Sequence, residues 1–498
     1  MHLYKKNKQQ IKVVDKKSKN KYKKEDKKMW RIEKDTMGEI KVPEDKYWGA
    51  QTQRAFENFP ISGWTMPEEI IKAIAVIKWA SARANAELGL LPENIKDAIC
   101  KSAEEIYEGK LKNNFPVDVF QTGSGTSTNM NINEVIANRA NEILGYEKGK
   151  KYPVHPNDHV NKCQSSNDVI PTSIQIAAVM GLKKKLIPAL KTLEKSLEKK
   201  AEEFKDIIKI GRTHLMDATP ITLGQEFSGY KEQISHIIEL LEAYIPRLSE
   251  LALGGTAVGT GINAHPDFAK KSIKYISEFL GHEFKETRNH FFSQATQDVM
   301  VALSGMLKTC AVAMFKIAND IRWLSSGPRC GIGEIFLPSL QPGSSIMPGK
   351  VNPVIPESVM MICAHVIGSD ATITIGGMNG NFELNTFLPI IGYHVVNSIN
   401  LLASGAENFA KKCVDGIKPN VSRMRELVEW SLALSTPLAL KIGYDKAAEI
   451  AKKSIEKGKT IREIVIEEGI LTREEAEKIL DPFSMVRPNS DIIGSGGG

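Results

Sequence analysis

Leu182, Leu186, Leu190, Leu193, Leu197, Ala201, Phe204 and Ile208 recur at three- and four-residue steps, with lysines and glutamates between them. That spacing makes one apolar stripe about 27 residues long on a helix, and no strand can place it on a single face. Ile234, Ile237, Ile238, Leu241, Ile245 and Leu248 repeat the pattern before the break at Gly254-Gly255. Stripes of this length bury themselves best against equally long neighbours, so a helical bundle is expected over about Ser165 to Asn420. Gln233–Leu253 and Gln297–Leu324 are apolar on more than one face, which extends the bundle across subunits.

Around this centre the character changes. Residues 29–163 mix an extended start (Trp30–Lys41) with helical stretches near Glu68–Leu90 and Ile95–Glu108. Residues 421–490 carry shorter helical patterns over Val421–Leu434, Tyr444–Glu456, Thr460–Glu468 and Thr472–Ile479. Gly458 and Gly469 act as stops there, and Thr472 opens a capping-box-like Thr-Arg-Glu-Glu. The expected class is all-α (mainly α), a long central bundle over 164–420 flanked by smaller N- and C-terminal domains. A Lys-rich leader (1–28) and a glycine-rich end (491–498) are expected to be disordered and frayed.

Composition narrows the function classes. The formal charge of +7 sits in the leader: residues 1–29 hold twelve lysines against Asp15, Glu25 and Asp26. The rest carries 54 of the 66 basic and 56 of the 59 acidic side chains, so the body is near neutral and is not expected to bind nucleic acid. Six cysteines (Cys100, Cys163, Cys310, Cys330, Cys363, Cys413) are scattered singly, with no zinc-knuckle or redox spacing, and read as reduced thiols of a cytoplasmic protein. The longest apolar stretch, Val299–Ile317, is interrupted by Lys308 and Lys316 and reads as a core helix rather than a membrane span. The leader lacks an apolar core and is no secretory signal.

Four polar, glycine-bearing segments interrupt the helical plan: Gln121–Asn133 (QTGSGTSTNMNIN), His155–Asp168 (HPNDHVNKCQSSND), Gly211–Gln225 (GRTHLMDATPITLGQ) and Gly343–Glu357 (GSSIMPGKVNPVIPE). Their Ser, Thr, Asn, His and Lys side chains suit hydrogen bonding to carboxylates without a metal. In the last, glycines and prolines bracket Ser344, Ser345, Lys350 and Asn352, a lid carrying a hydroxyl and a cation. Gly343 and Gly349 are one residue too far apart for a phosphate loop, and Val351 stands where a magnesium-binding hydroxyl belongs. His155, Asp158 and His159 have a zinc-like spacing, but Pro156 and Asn157 point to a turn or helix start. An anion site beside Ser165, Ser166 and Asn167 fits better than a metal. His214 lies in a break between two long helices and is a catalytic candidate, with Glu357 as its orienting carboxylate.

GSSIMPGKVNP (343–353) resembles the signature of the fumarase/aspartase superfamily, and the likeness runs from about Trp30 to Val486. Within it, RIEKDTMGEIKVPEDKYWGAQTQR (31–54), QTGSGTSTNMN (121–131), HPNDHVN (155–161), GRTHLMDATPITLGQEFSGY (211–230), RWLSSGPRCGIGEI (322–335) and GNFELN (380–385) are similar to class II fumarases. The resemblance implies an all-α homotetramer with active sites shared between subunits. It also implies the metal-free, cofactor-free, reversible hydration of fumarate to L-malate, a step of the tricarboxylic acid cycle, by trans addition and elimination through an aci-carboxylate. By position it makes Ser344 the base and His214, paired with Glu357, the other proton donor and acceptor. Substrate contacts fall to Ser124, Gly125, Thr126, Ser165, Ser166, Asn167, Thr213, Ser345, Lys350, Val351 and Asn352. A secondary anion site falls to His155, Pro156, Asn157 and Asp158.

Two departures stand out. Val354-Ile355-Pro356 before Glu357 looks more like the aspartases, and Lys151-Tyr152-Pro153 lacks an arginine expected at the secondary site. His214 and the phenylalanine of GNFELN stand against the aspartase reading. Aspartate ammonia-lyase is therefore the alternative. A catalytically dead relative ranks last, because Ser344, His214 and Lys350 are all present.

Overall fold

The structure, a computed structural model, describes residues 29–488 and Ile493. The expectations for the leader and for most of the glycine-rich end lie outside the described residues. Helix accounts for 62% of the described residues, and the sheets among them are five isolated two-stranded pairs, so the class is mainly α. The chain forms two compact units. The first runs through Ala177 and adds Ser249–Gln297 and Met378–Tyr393; the second holds Ala178–Leu248, Asp298–Gly377 and the chain from His394 onward.

The first unit starts with the extended segment expected at Trp30, now a hairpin in which Trp30–Asp35 pairs antiparallel with Gly38–Pro43. The helix Ala50–Asn58 follows, with Gly49 at its N-cap and no side chain of its own to cap it. Glu134, from the helix Thr126–Ile143, supplies that cap. Its carboxylate accepts N–H groups of Gly49 (2.9 Å), Gln51 (2.9 Å) and Thr52 (3.0 Å) and the Thr52 hydroxyl (2.6 Å). Four donors satisfy an anion that burial otherwise disfavours; burial still pushes its pKa above the usual carboxylate range. The helices Glu68–Glu87 and Glu93–Tyr107 lie where their periodicity predicts and pack against each other, and Phe268–Leu280 covers the first of them.

The second unit carries the long stripes. Leu182, Leu186, Leu190, Leu193 and Leu197 are all buried. The helical ladder widens to a π-turn over Leu182–Leu186, just before Pro188, which has no N–H to give, and runs on as Ile187–Glu203. The stripe overruns the helix: Phe204 closes it, and Ile208 begins a strand instead. Ile187–Glu203 packs on Leu223–Leu248, which in turn meets Asp298–Leu324, and that helix packs along Val354–Gly377. The stretch Val299–Ile317 lies inside Asp298–Leu324 and buries Leu303, Leu307, Cys310, Met314 and Ile317, as a core helix does. Yet Val312 (55%), Met361 (68%) and Ile375 (57%) on these two helices remain exposed.

Toward the C-terminus, Val421–Trp430, Ser435–Ile442, Tyr444–Lys457, Ile461–Glu467 and Arg473–Ile479 enclose a core of their own around Leu434, Leu438, Ile450, Ile464 and Leu480. Thr472 and Glu475 form the expected capping box, and Thr460 with Glu463 forms a second one. The pattern Val421–Leu434 is interrupted at Ser431, whose hydroxyl caps a separate short turn.

Candidate active site

The candidate residues divide between the two units. In the first, the segment Gln121–Thr126 turns sharply into the helix Thr126–Ile143, and Ser124 Oγ lies 2.8 Å from Thr126 Oγ1. Gly123 has no room for a side chain, because a Cβ would strike the Thr386 carbonyl. Leu388 N–H donates to the Gly123 carbonyl at 3.0 Å, which joins this loop to the chain just beyond GNFELN. Gly125, in the left-handed region, sits against Ile170 of the helix that begins at Ser166. The loop that carries Ser124, Gly125 and Thr126 is thereby held on the helix that carries Ser166 and Asn167.

Ser165, Ser166 and Asn167 form the start of that helix. Asn167 N–H donates to Ser165 Oγ (3.2 Å), and its amide donates to the Ala257 carbonyl (2.8 Å). Ser166 Oγ accepts from Asn129 Nδ2 at 3.0 Å. Asp168, fully buried, fixes the turn: one oxygen accepts Ser165 N–H (2.9 Å), the other Gly254 and Thr256 N–H (3.0 Å each). Burial pushes its carboxyl up to about 6, against those N–H donors and the nearby Lys78. In the sequence Gly254-Gly255 reads only as a helix break. Its backbone in fact grips the Ser165–Asp168 turn, a role that only the fold discloses.

His155–Asp158 is a turn, as Pro156 and Asn157 suggest: Pro156–Val160 is a single π-turn. His155 Nδ1 accepts N–H from Asn157 and Asp158 (3.2 Å each), so the ring proton belongs on Nε2. His155 N–H in turn donates to His159 Nδ1 at 2.9 Å.

In the second unit, the break that carries His214 is a β-hairpin, Ile208–Thr213 against Met216–Thr222. The helical expectation on either side left this segment undefined, and its strands are too short and polar to show an alternation. The register slips between Ile210 and Arg212, giving Met216–Thr222 one extra residue, a bulge. Gly211 permits it, since a Cβ there would lie 2.5 Å from the Thr219 carbonyl. His214 (φ 58°) and Leu215 (φ 63°) form the two-residue tip, both left-handed. Asn-Gly usually occupies such a tip, and a His-Leu pair there is strained. Thr213, His214 and Leu215 all point into the open.

Beneath the tip, Glu334 is fully buried and receives Arg212 through Nη1 (2.8 Å) and Nη2 (3.1 Å), with Lys209 Nζ at 3.3 Å. Lys209 also stands 3.3 Å from Glu226, whose pKa burial raises. None of these four charged residues was singled out from the sequence.

Ser344 Oγ accepts backbone N–H from Ile346 (3.2 Å) and Met347 (3.0 Å), so its own loop turns two donors onto it. Gly343 N–H donates to the Lys350 carbonyl (2.7 Å), and the Asn352 amide donates to the Gly343 carbonyl (2.7 Å), which closes the loop at its base. Ser345, Lys350 and Val351 are exposed on it. A cleft of about 490 Å³ adjoins the loop, lined by Arg322, Ser325, Ser326, Ser339, Lys350 and Asn352. Glu357 lies in the first turn of Val354–Gly377. Among the described residues of a single chain, no hydrogen bond or ion pair joins Glu357 to His214.

Residues 38–368 match the family described as Lyase, and residues 434–487 match Fumarase C C-terminus. The fumarate hydratase class II of Photorhabdus laumondii is 53% identical over 456 residues, which cover 92% of this chain and 98% of the relative. That of Thermus thermophilus is 50% identical over 462 residues, 92% of this chain and 99% of the relative. The crystal structure of a class II fumarase from Schistosoma mansoni superposes with a TM-score of 0.89 at 38% identity, covering 93% of this chain and all of that one. The chain belongs to the class II fumarate hydratase family.

Proposed function

We propose that this chain catalyses the reversible hydration of fumarate to L-malate, by trans addition and elimination through an aci-carboxylate. The observation that carries it is identity of about half the residues with fumarate hydratases over almost their whole length. That breadth favours hydration over the aspartate ammonia-lyase alternative, because Val354-Ile355-Pro356 is a local departure within it.

Removing a proton beside a carboxylate creates a doubly charged intermediate that preorganised donors must meet. Ser344 is the proposed base. A serine hydroxyl is a poor base unless its alkoxide is stabilised, and the two N–H groups aimed at Ser344 Oγ support that role. His214, with Glu357 as its orienting carboxylate in the assembled enzyme, handles the proton of the departing water. Lys350 and Asn352, with Ser345, Val351 and Thr213, and Ser124–Thr126 with Ser165–Asn167, form the proposed carboxylate-binding set. The donor Nε2 of His155 supports an anion at the secondary site with Pro156, Asn157 and Asp158.

The proposed assembly is a homotetramer whose active sites draw on more than one subunit. The exposed apolar residues of Asp298–Leu324 and Val354–Gly377 support it. A cytoplasmic enzyme of the tricarboxylic acid cycle, free of metal and cofactor, completes the reading.

The test is ultraviolet absorbance of the conjugated double bond of fumarate, with purified protein, no added metal, and L-malate or L-aspartate as substrate. A rise with malate alone is expected. A rise with aspartate and release of ammonia would replace the hydratase reading with the ammonia-lyase one.

A further inference from the structure

Lys78, on the helix Glu68–Glu87, is fully buried. Its Nζ donates to two neutral amide oxygens, Asn161 Oδ1 and Gln164 Oε1, each at 2.9 Å. A buried ammonium costs several kcal/mol to desolvate, and a carboxylate in contact would be the usual compensation. Here the carboxylate that acts on it, Asp168, is engaged by the backbone of Ser165, Gly254 and Thr256.

The amides around Lys78 have fixed directions. Asn161 Oδ1 accepts from Lys78 and also from Asn129 and Asn133 Nδ2 (3.2 Å each), while its own Nδ2 donates to the Gln164 carbonyl (3.1 Å). Asn129 Nδ2, thus oriented as a donor, reaches Ser166 Oγ at 3.0 Å. The Ser166 oxygen is therefore an acceptor toward the interior, and its proton is left to point elsewhere.

Resting on the hydratase reading above, we infer that Lys78 is a positioning residue for the dicarboxylate substrate. Through Asn161 and Asn129 it sets the Ser166 hydroxyl as a donor, and it supplies buried positive charge behind the Ser165–Asn167 turn. It touches no reacting atom. A substrate carboxylate at that turn meets an outward O–H and a cation that contact with a carboxylate has not neutralised.

The experiment compares wild type with Lys78→Met, which keeps an unbranched side chain out to the ε position and removes the ammonium, and with Asn161→Asp, which keeps the acceptor and pairs Lys78 with a carboxylate in place. Circular dichroism and sizing confirm folding and assembly, and steady-state kinetics with L-malate read KM and kcat at pH 6, below the value of about 7 to which burial lowers Lys78, so that its ammonium is present. Loss of one charge-assisted interaction predicts a KM raised about tenfold in both variants, with kcat changed far less. Lys78→Met should melt no lower than wild type. An unchanged KM in either folded variant would overturn the inference, and so would equal losses in kcat and thermal stability without a KM effect. If Lys78→Met does not fold, Asn161→Asp decides alone. Wild type that turns over malate while the variants keep its KM sinks this inference only; wild type that turns over no malate sinks the hydratase reading and this inference together.

Discussion

The guanidinium of Arg212 is held in a fork by the buried carboxylate of Glu334, at 2.8 and 3.1 Å, two residues before His214. The same carboxylate faces Lys209 at 3.3 Å, so one anion answers two cations under the hairpin. Removing it strips Arg212 of its partner and leaves the buried Lys209 only Glu226, also at 3.3 Å. Glu334→Ala is expected to lower stability by about 3–5 kcal/mol, read by urea unfolding. A loss below about 1 kcal/mol, typical of an exposed pair, would show that the cluster is solvated.

The hairpin tip separates strain from chemistry. Leu215→Gly relieves a left-handed non-glycine residue and should stabilise the protein by about 1 kcal/mol in thermal unfolding. His214→Asn keeps a residue that accepts the same backbone but removes the imidazole. It should leave folding intact and lower kcat by about 10²–10⁴-fold. Retained turnover in that variant would remove His214 from the mechanism.

Ser344→Ala removes the hydroxyl and leaves the exposed loop closed by Gly343, Lys350 and Asn352. Its melting temperature should match wild type, while kcat falls by at least about 10²-fold. Activity near the wild-type level would transfer the role of base to another group.

Glu134 caps a helix that cannot cap itself. Glu134→Ala strands the N–H groups of Gly49, Gln51 and Thr52 and the Thr52 hydroxyl and should cost about 2–4 kcal/mol, measured by denaturant unfolding. Hydrogen exchange should show the loss beginning at Ala50–Asn58.

Lys78 gives folding a pH dependence. Burial, outweighing the attraction of Asp168, pulls its pKa down to about 7 in the folded protein, against 10.5 ordinarily. Between those values the unfolded chain binds the extra proton, so the stability contributed at this position rises with pH across that interval. The penalty of the buried charge is fully present below it. Lys78→Met does not titrate. Its stability relative to wild type should therefore be greatest below pH 7 and shrink toward pH 10, which urea unfolding at several pH values would follow. A gap that stays constant with pH would mean that Lys78 keeps its proton throughout.

The parts of the fold that the sequence disclosed are those governed by local periodicity. The Leu182–Leu197 stripe, the helices from Glu68 and Glu93, and the Thr472 cap all follow from spacing and side-chain type. The His214 hairpin does not, because a bulge at Gly211 and a turn of His and Leu follow no strand or turn pattern. Ser435–Ile442 escaped notice because eight residues offer too few turns for a stripe. The polar segments themselves stood out as interruptions. The groups that hold them did not: Lys78, Asp168 and Glu334 look in sequence like ordinary charged positions, and only tertiary burial gives each its effect. The Gly254–Thr256 backbone has no side-chain signature at all for the two N–H groups it gives to Asp168.

The exposed Val312, Met361 and Ile375 carry a further consequence. Apolar side chains on the outside of long core helices cost little to a chain that always has company and much to one that is alone. If copies of this chain cover them, folding and association become a single equilibrium governed by mass action. The unfolding midpoint would then climb with protein concentration, and dilution would inactivate the enzyme without altering a residue at its active site.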